Sequence, residues 1–271
     1  MKNAKRMLSA LLCAVLLCMS TVGIAAKGEY AGYISDVMKR FTRNDGKCTT
    51  TQEQLVNGLY SMVELLEIAV HEEDTKGGKY YDAVNAVMDT FVAQDGLCET
   101  PQEQAANGAY RTVELLEILA TELDKKKNYT EYVDEVDAIF NETGKTAKSA
   151  AKQQVNGVYR TVEMLEGIGY ILDKNEVYYR NIDAIDAAYI AADADCISSA
   201  RQIANGTIRT AELLEIIARE LDTKGKYSAT LDALMEEFIE TDAKCSSAIQ
   251  QQVNACYTSV ALLEIITTLW D

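Results

Sequence analysis

The chain has 271 residues, a formal net charge of −16, seven Cys, one His, one Trp and one Pro. A single Pro, against an average share near ~5%, excludes Pro-rich linkers and collagen-like segments and argues against a turn-dense all-β fold. An apolar share of 48% excludes wholesale disorder, and one His withholds the commonest general base and metal ligand from almost the whole chain.

The first element is a leader. Lys2, Lys5 and Arg6 precede an apolar run from Met7 to Val22, and Gly23, Ala25 and Ala26 follow. This layout predicts a secretory signal peptide over residues 1–26. Cys13 and Cys18 each follow a Leu rather than a small residue, so no lipid anchor is expected. No later apolar run is expected to reach the ~18 residues of a membrane span, so no membrane insertion is expected after cleavage. The chain from Lys27 is expected to be extracytoplasmic, secreted or periplasmic. Loss of the three leader cations would deepen its negative charge further.

From Lys27 onward one unit is written five times. The string QEQLVNGLYSMVELLEI from Gln52 recurs as QEQAANGAYRTVELLEI from Gln102, and its anchoring Asn returns at 57, 107, 156, 205 and 254. A period of about 49 residues divides a single domain, 27–271, into repeats 27–76, 77–125, 126–174, 175–223 and 224–271. In the first half of each repeat, apolar residues fall on one helix face: Tyr30, Ile34, Val37, Met38 and Phe41 in the first, with matching stations in the others. Gly46 and Gly96 stand where such a helix would stop.

The second half opens on Thr50, Thr100, Ser149, Ser198 or Ser247, seven residues before the anchor. Glu53, Glu103 and Gln250 complete capping boxes, and Pro101 takes the first helical position of its repeat. The second helix therefore carries Asn57-Gly58 two turns inside it, where the Gly serves close approach of a neighbouring helix rather than a hairpin turn. The expected fold is all-α: an α-solenoid-like array of five helical hairpins, ten helices in all, each packed mainly on its neighbours. It resembles helical-hairpin repeat proteins in general. The period and signature residues of the tetratricopeptide and Sel1-like kinds are absent, so no functional residue is carried over.

The polar residues that recur form the candidate site. Offsets −3, 0, +4 and +7 from the anchor lie on one narrow helical stripe. The three middle repeats fill it with Gln104, Asn107, Arg111 and Glu114; Gln153, Asn156, Arg160 and Glu163; and Gln202, Asn205, Arg209 and Glu212. The stripe reads either as a structural ladder that sets the register between repeats or as the floor of a groove for an extended peptide. A further Glu follows ten residues after each anchor (Glu67, Glu117, Glu166, Glu215, Glu264) and is expected to be a semi-buried acceptor.

Cys48, Cys98, Cys196 and Cys245 share one station, with Ala147 in the third repeat, which suggests a small buried slot. Cys245 and Cys256 lie in one repeat and are candidates for a disulfide. His71, beside Glu67 and Glu72, occurs in one repeat only and reads as a solvated helix end. No cofactor, no metal site and no nucleophile–base pair is expected.

The acidic chain disfavours nucleic acid as a partner and favours a protein or peptide, a cationic one above all. The expected function is a non-enzymatic, protein- or peptide-binding or scaffold module acting through the stripe. The alternatives are a periplasmic inhibitor or immunity-type protein, and a self-assembling structural protein. The last rests on the fifth repeat, where Ala261 replaces the stripe Glu and the apolar run Leu262–Trp270 suggests an open stacking face for self-association.

Overall fold

A computed structural model describes residues 28–74 and 78–270; the leader expected over 1–26 lies outside them. Ten α-helices form, with no strand among the described residues: α1 (Ala31–Asp45), α2 (Thr51–Glu73), α3 (Tyr81–Asp95), α4 (Pro101–Leu123), α5 (Thr130–Thr146), α6 (Ala150–Leu172), α7 (Tyr179–Ala194), α8 (Ser199–Leu221), α9 (Ser228–Asp242) and α10 (Ala248–Trp270). The even-numbered helices start where their caps predict. Thr50 and Thr100 each close a full capping box with Glu53 and Glu103, and Ser149 and Ser198 accept from the N–H three residues on. At α10, Gln250 instead accepts from the Ser246 N–H at 2.8 Å. Gly46 and Gly96 do follow α1 and α3, but with right-handed backbone (φ −60° and −63°), so they end those helices without the left-handed turn.

Each odd helix packs on the even helix that follows it, which makes five hairpins. Each even helix packs on the even helices of the flanking hairpins, and α10 packs on α2 as extensively as α2 does on α4. The array is therefore a closed ring: five parallel inner helices (α2, α4, α6, α8, α10) surrounded by five outer helices. Closure corrects one expectation. The apolar end of α10 is not an open stacking face, because it is buried against α2 and α8 of the same chain. α10 is also, among the described residues, the one helix long and apolar enough to cross a membrane, and 83% of its most apolar window is buried inside the protein.

The inner helices approach through one small station. A Cβ on Gly58 would meet the Cys256 Sγ at 2.6 Å, one on Gly157 would meet the Ala109 Cβ at 2.9 Å, and one on Gly206 would meet the Val158 Cγ1 at 2.3 Å. The Gly58 contact is the ring-closing one, since it joins the first repeat to the last. Side chains from all five inner helices fill the axis, leaving a cavity of about 20 Å³ lined by residues such as Met62, Thr112, Thr161, Thr210 and Ser259.

Two carboxylate stations hold the hairpins in place. Asp74, Asp124, Asp173 and Asp222, all buried at inner-helix C-termini, each accept two backbone N–H groups from the start of the next outer helix, at 2.7–2.9 Å. A second Asp ends the outer helices. Tyr60 donates to Asp95 and Tyr159 to Asp193, each reaching into the following repeat, and Tyr257 donates to Asp45, which carries the same latch across the ring closure. Two latches are incomplete: Gly144 stands where Tyr110 would find its Asp, and Ile208 stands where Asp242 would find its Tyr. The Tyr110 hydroxyl and one Asp242 carboxylate oxygen are accordingly buried without a hydrogen-bond partner among the described residues.

This asymmetry predicts unequal costs for one chemical change. Tyr159→Phe, which deletes a bond to a carboxylate, is expected to lower unfolding free energy by about 1–2 kcal/mol, and Tyr110→Phe, which deletes no bond, by about 0. Urea denaturation midpoints of the two variants check this, and equal losses would contradict it.

Candidate cleft floors between the outer helices

Ring geometry creates the clefts. Five inner axes at a packing distance of about 9–10 Å set a small inner circle, and the next layer out must space its axes roughly 17–20 Å apart, about twice that distance. The outer helices accordingly make no substantial contact with one another. Each neighbouring pair leaves a radial cleft whose floor is the exposed face of an inner helix. The predicted stripe lies along these floors.

The structure divides the stripe. The Asn is buried in all five repeats and serves the fold: its Nδ2 donates to the backbone carbonyl sixteen residues earlier, near the end of the partner helix (Asn57 to Phe41, Asn107 to Phe91, Asn156 to Phe140, Asn205 to Tyr189, Asn254 to Phe238, at 3.0–3.1 Å). The Gln column belongs to the Asp–Tyr latches. Gln54, Gln104 and Gln251 donate to Asp45, Asp95 and Asp242 at 3.1–3.3 Å, and Gln202 lies beside the latched Tyr159 hydroxyl. Gln153 has Gly144 in place of that Asp and lines an open cavity of about 350 Å³ with Asn107 and Arg111.

The Arg and Glu of the stripe remain on the floor as ion pairs one turn apart. Arg111 meets Glu114 at 2.8 Å, Arg160 meets Glu163 at 3.0 Å, and Arg209 pairs with Glu212. The arginine side chains are only 10–18% exposed and the glutamates 26–30%. Burial raises Glu114 and Glu163 above the usual carboxylate range even with a guanidinium adjacent. The first repeat has Ser61 at the Arg position, and Arg40 of α1 reaches across to Glu64 at 2.9 Å instead.

The Glu column ten residues after the anchor is the acidic heart of the clefts. Burial, with Asp186 and then Glu163 nearby, pushes Glu166 up to about 8; its carboxylate takes the Tyr132 hydroxyl at 3.4 Å. Burial, with Asp137, Glu114 and Asp134 close, pushes Glu117 up to about 7, and burial alone does the same to Glu264. Glu215 is offset by Arg219 at 2.7 Å. The acceptor role expected of this column holds at Glu166. No group of three or more His, Cys, Asp or Glu side chains gathers as a metal-binding set among the described residues.

The first cleft, between α1 and α3, differs from the others. The Arg40–Glu64 pair divides it into a cavity of about 760 Å³ and a smaller one of about 320 Å³, both lined by those two residues. The larger has Glu64, Glu67 and His71 on its floor, Tyr30 and Tyr33 on the α1 wall, and Tyr81 and Met88 on the α3 wall. His71 stands in the last turn of α2, as expected, but is half-buried rather than fully solvated. Its ring lies 5.4 Å from that of Tyr81, and burial holds it below the ordinary imidazole range, so it is neutral at neutral pH.

The cysteines are placed differently from expectation. Cys48, Cys98 and Cys196 are half-exposed at the turns after the outer helices, where each thiol donates to the carbonyl four residues back at 3.3–3.4 Å. Cys245 occupies the matching turn and is free, and burial pushes its thiol up to about 11. Cys256 is also free and faces the ring interior against Met62. Cys245 and Cys256 are thus both free thiols, and the bridge expected between them is absent.

The two latch columns, Asp45/95/193/242 and Asp74/124/173/222, are structurally decisive residues outside the stripe. Their signal was present, as Asp recurring twelve before and seventeen after the anchor. No family model, curated protein or solved structure matches this chain.

Two measurements follow. Arg160→Glu sets a third carboxylate beside Glu163 in a mostly enclosed site and is expected to cost on the order of 2–4 kcal/mol in chemical denaturation; an unchanged midpoint would show the pair to be freely solvated. Carboxyls raised in the folded state stabilise it fully below about pH 4.5, and that contribution is lost as pH climbs through 7–8. Melting temperature is expected to be higher at pH 5 than at pH 8.5, and Glu166→Gln to narrow that gap; an undiminished gap would contradict the assignment.

Proposed function

We propose that the protein is an exported, non-catalytic binding module that receives cationic segments of a protein or peptide partner in the clefts between its outer helices. One observation carries this reading: the cleft floors are rows of partly buried carboxylates, and acids outnumber cations along them. In the first cleft Glu64 and Glu67 face a single guanidinium among the described residues, that of Arg40, across a cavity of about 760 Å³. That volume lies within the range of ligand sites, and enclosure by protein strengthens attraction for a cation relative to open solvent. The chain-wide charge of −16 adds long-range steering of the same sign. The leader-like residues 1–26 support export, and the Gln–Asn half of the stripe supplies the rigid ring that holds the clefts open.

The test is fluorescence anisotropy with a labelled decapeptide rich in Lys and Arg and a Glu-rich peptide of equal length. The basic peptide is expected to bind and to weaken at least several-fold between 50 and 300 mM salt, with the acidic peptide not binding. Equal binding of both, or binding of neither, overturns the reading.

A further inference from the structure

The five glutamates of the acidic column occupy one station but meet different surroundings. Glu215 has Arg219, Glu117 and Glu166 face Asp137 and Asp186, and Glu264 is almost wholly enclosed. Glu67 alone opens into the 760 Å³ cavity, and Met88 stands opposite at the station where the next two clefts carry Asp137 and Asp186. Its neighbour Glu64 is engaged by Arg40, and no ion pair reaches Glu67 from the described residues.

The floor below is clear for a related reason. In the next three clefts an Arg one turn before the stripe Glu lies over the floor and supplies a cation; here Ser61, lining the adjoining smaller cavity, takes that position and is buried, its hydroxyl bonded to the Asn57 carbonyl at 3.0 Å. Among the described residues, the cavity therefore holds a carboxylate with no ion pair of its own, Arg40 acting on it only from its pair with Glu64. Its mouth is aromatic on both sides: Tyr33 on α1 is 64% exposed and Tyr81 on α3 is 55% exposed.

A carboxylate at the floor and tyrosine faces at the mouth suit an alkylammonium, whose methylene stem lies along the rings while its charge meets the acid. A guanidinium suits the site less well. Its fork is best matched by bidentate acceptors, and the second carboxylate is already held by Arg40, which would repel another planar cation. The cavity exceeds what one side chain fills, and beside Glu29, Asp36 and Asp74 its lining includes the apolar Val37, Ile68, Phe91 and Val92, which accept the apolar neighbours of a lysine in a chain.

We propose that the α1–α3 cleft is a recognition site for a lysine side chain presented by an extended, partly apolar segment of a partner chain, with Glu67 receiving the ammonium between Tyr33 and Tyr81. This rests on the binding-module reading above and narrows it to one cleft and one side chain.

The test is calorimetric titration of the intact mature protein with the capped peptide Gly-Leu-Lys-Leu-Gly, its Nε-acetyl-lysine form, and spermidine. The lysine peptide is expected to bind. Acetylation and Glu67→Gln are each expected to weaken it at least tenfold and Tyr33→Ala severalfold, while Glu142→Gln at an exposed position on α5 leaves it unchanged. Circular dichroism melts that match the parent establish that the variants are folded. Equal affinity for the acetylated peptide, or no effect of Glu67→Gln, overturns the proposal, and spermidine binding as tightly as the peptide assigns the site to free amines and overturns it too. Binding of the lysine peptide that is lost in Glu163→Gln, in another cleft, and kept in Glu67→Gln refutes this cleft while leaving the binding-module reading standing. Failure of the basic decapeptide above refutes that reading as well.

Discussion

Five inner helices meet through a Gly or Ala placed one residue after the buried Asn, and this close approach is the constraint on which the rest of the molecule depends. A side chain larger than a methyl there would drive neighbouring inner helices apart, and a wider inner circle would neither fill its own axis nor bring α10 back to α2. Because the approach is close, the axis is packed solid, and the last helix closes on the first. The outer helices then sit on a circle too large for five of them to cover. The clefts are thus a consequence of the packing distance at the centre, not separate features added to the surface.

Closure also explains how the polar residues are used. Each Tyr–Asp latch spans two repeats, and the one from Tyr257 to Asp45 spans the two ends of the chain. Each buried Asn fastens an inner helix to the end of its outer partner, so the cleft walls are held from the same column that marks the floor. Where the pattern breaks, at Gly144 and Ile208, one member of a pair is left buried and unpaired, which shows that the columns act as pairs rather than as solvated surface.

Departures from the repeat also individualise the clefts. Ser61 in place of Arg and Met88 in place of Asp leave the first cleft open, acidic and lined with tyrosine, while Thr258 and Ala261 remove the ion pair from the fifth. A ring of near-identical hairpins thereby offers five different floors, and the cavity of about 760 Å³ lies on the first repeat rather than the central three.

Much of this is legible in the sequence itself. The Asn spacing, the Thr and Ser caps, Pro101 at a helix start and the apolar period of each first half are local signals, set by backbone hydrogen bonding and side-chain spacing along one helix, and the helices start where those signals place them. The repeat likewise marked Gly58 and its equivalents as contact points. Whether the array stays open or closes depends on the angle between successive hairpins, which over five of them must sum to a full turn, and no local pattern encodes that sum. The same holds for the stripe. Four residues on one helix line were readable from their offsets, but Asn156 is buried and Glu67 faces a cavity because of what the neighbouring outer helices cover, and only the tertiary structure places those helices.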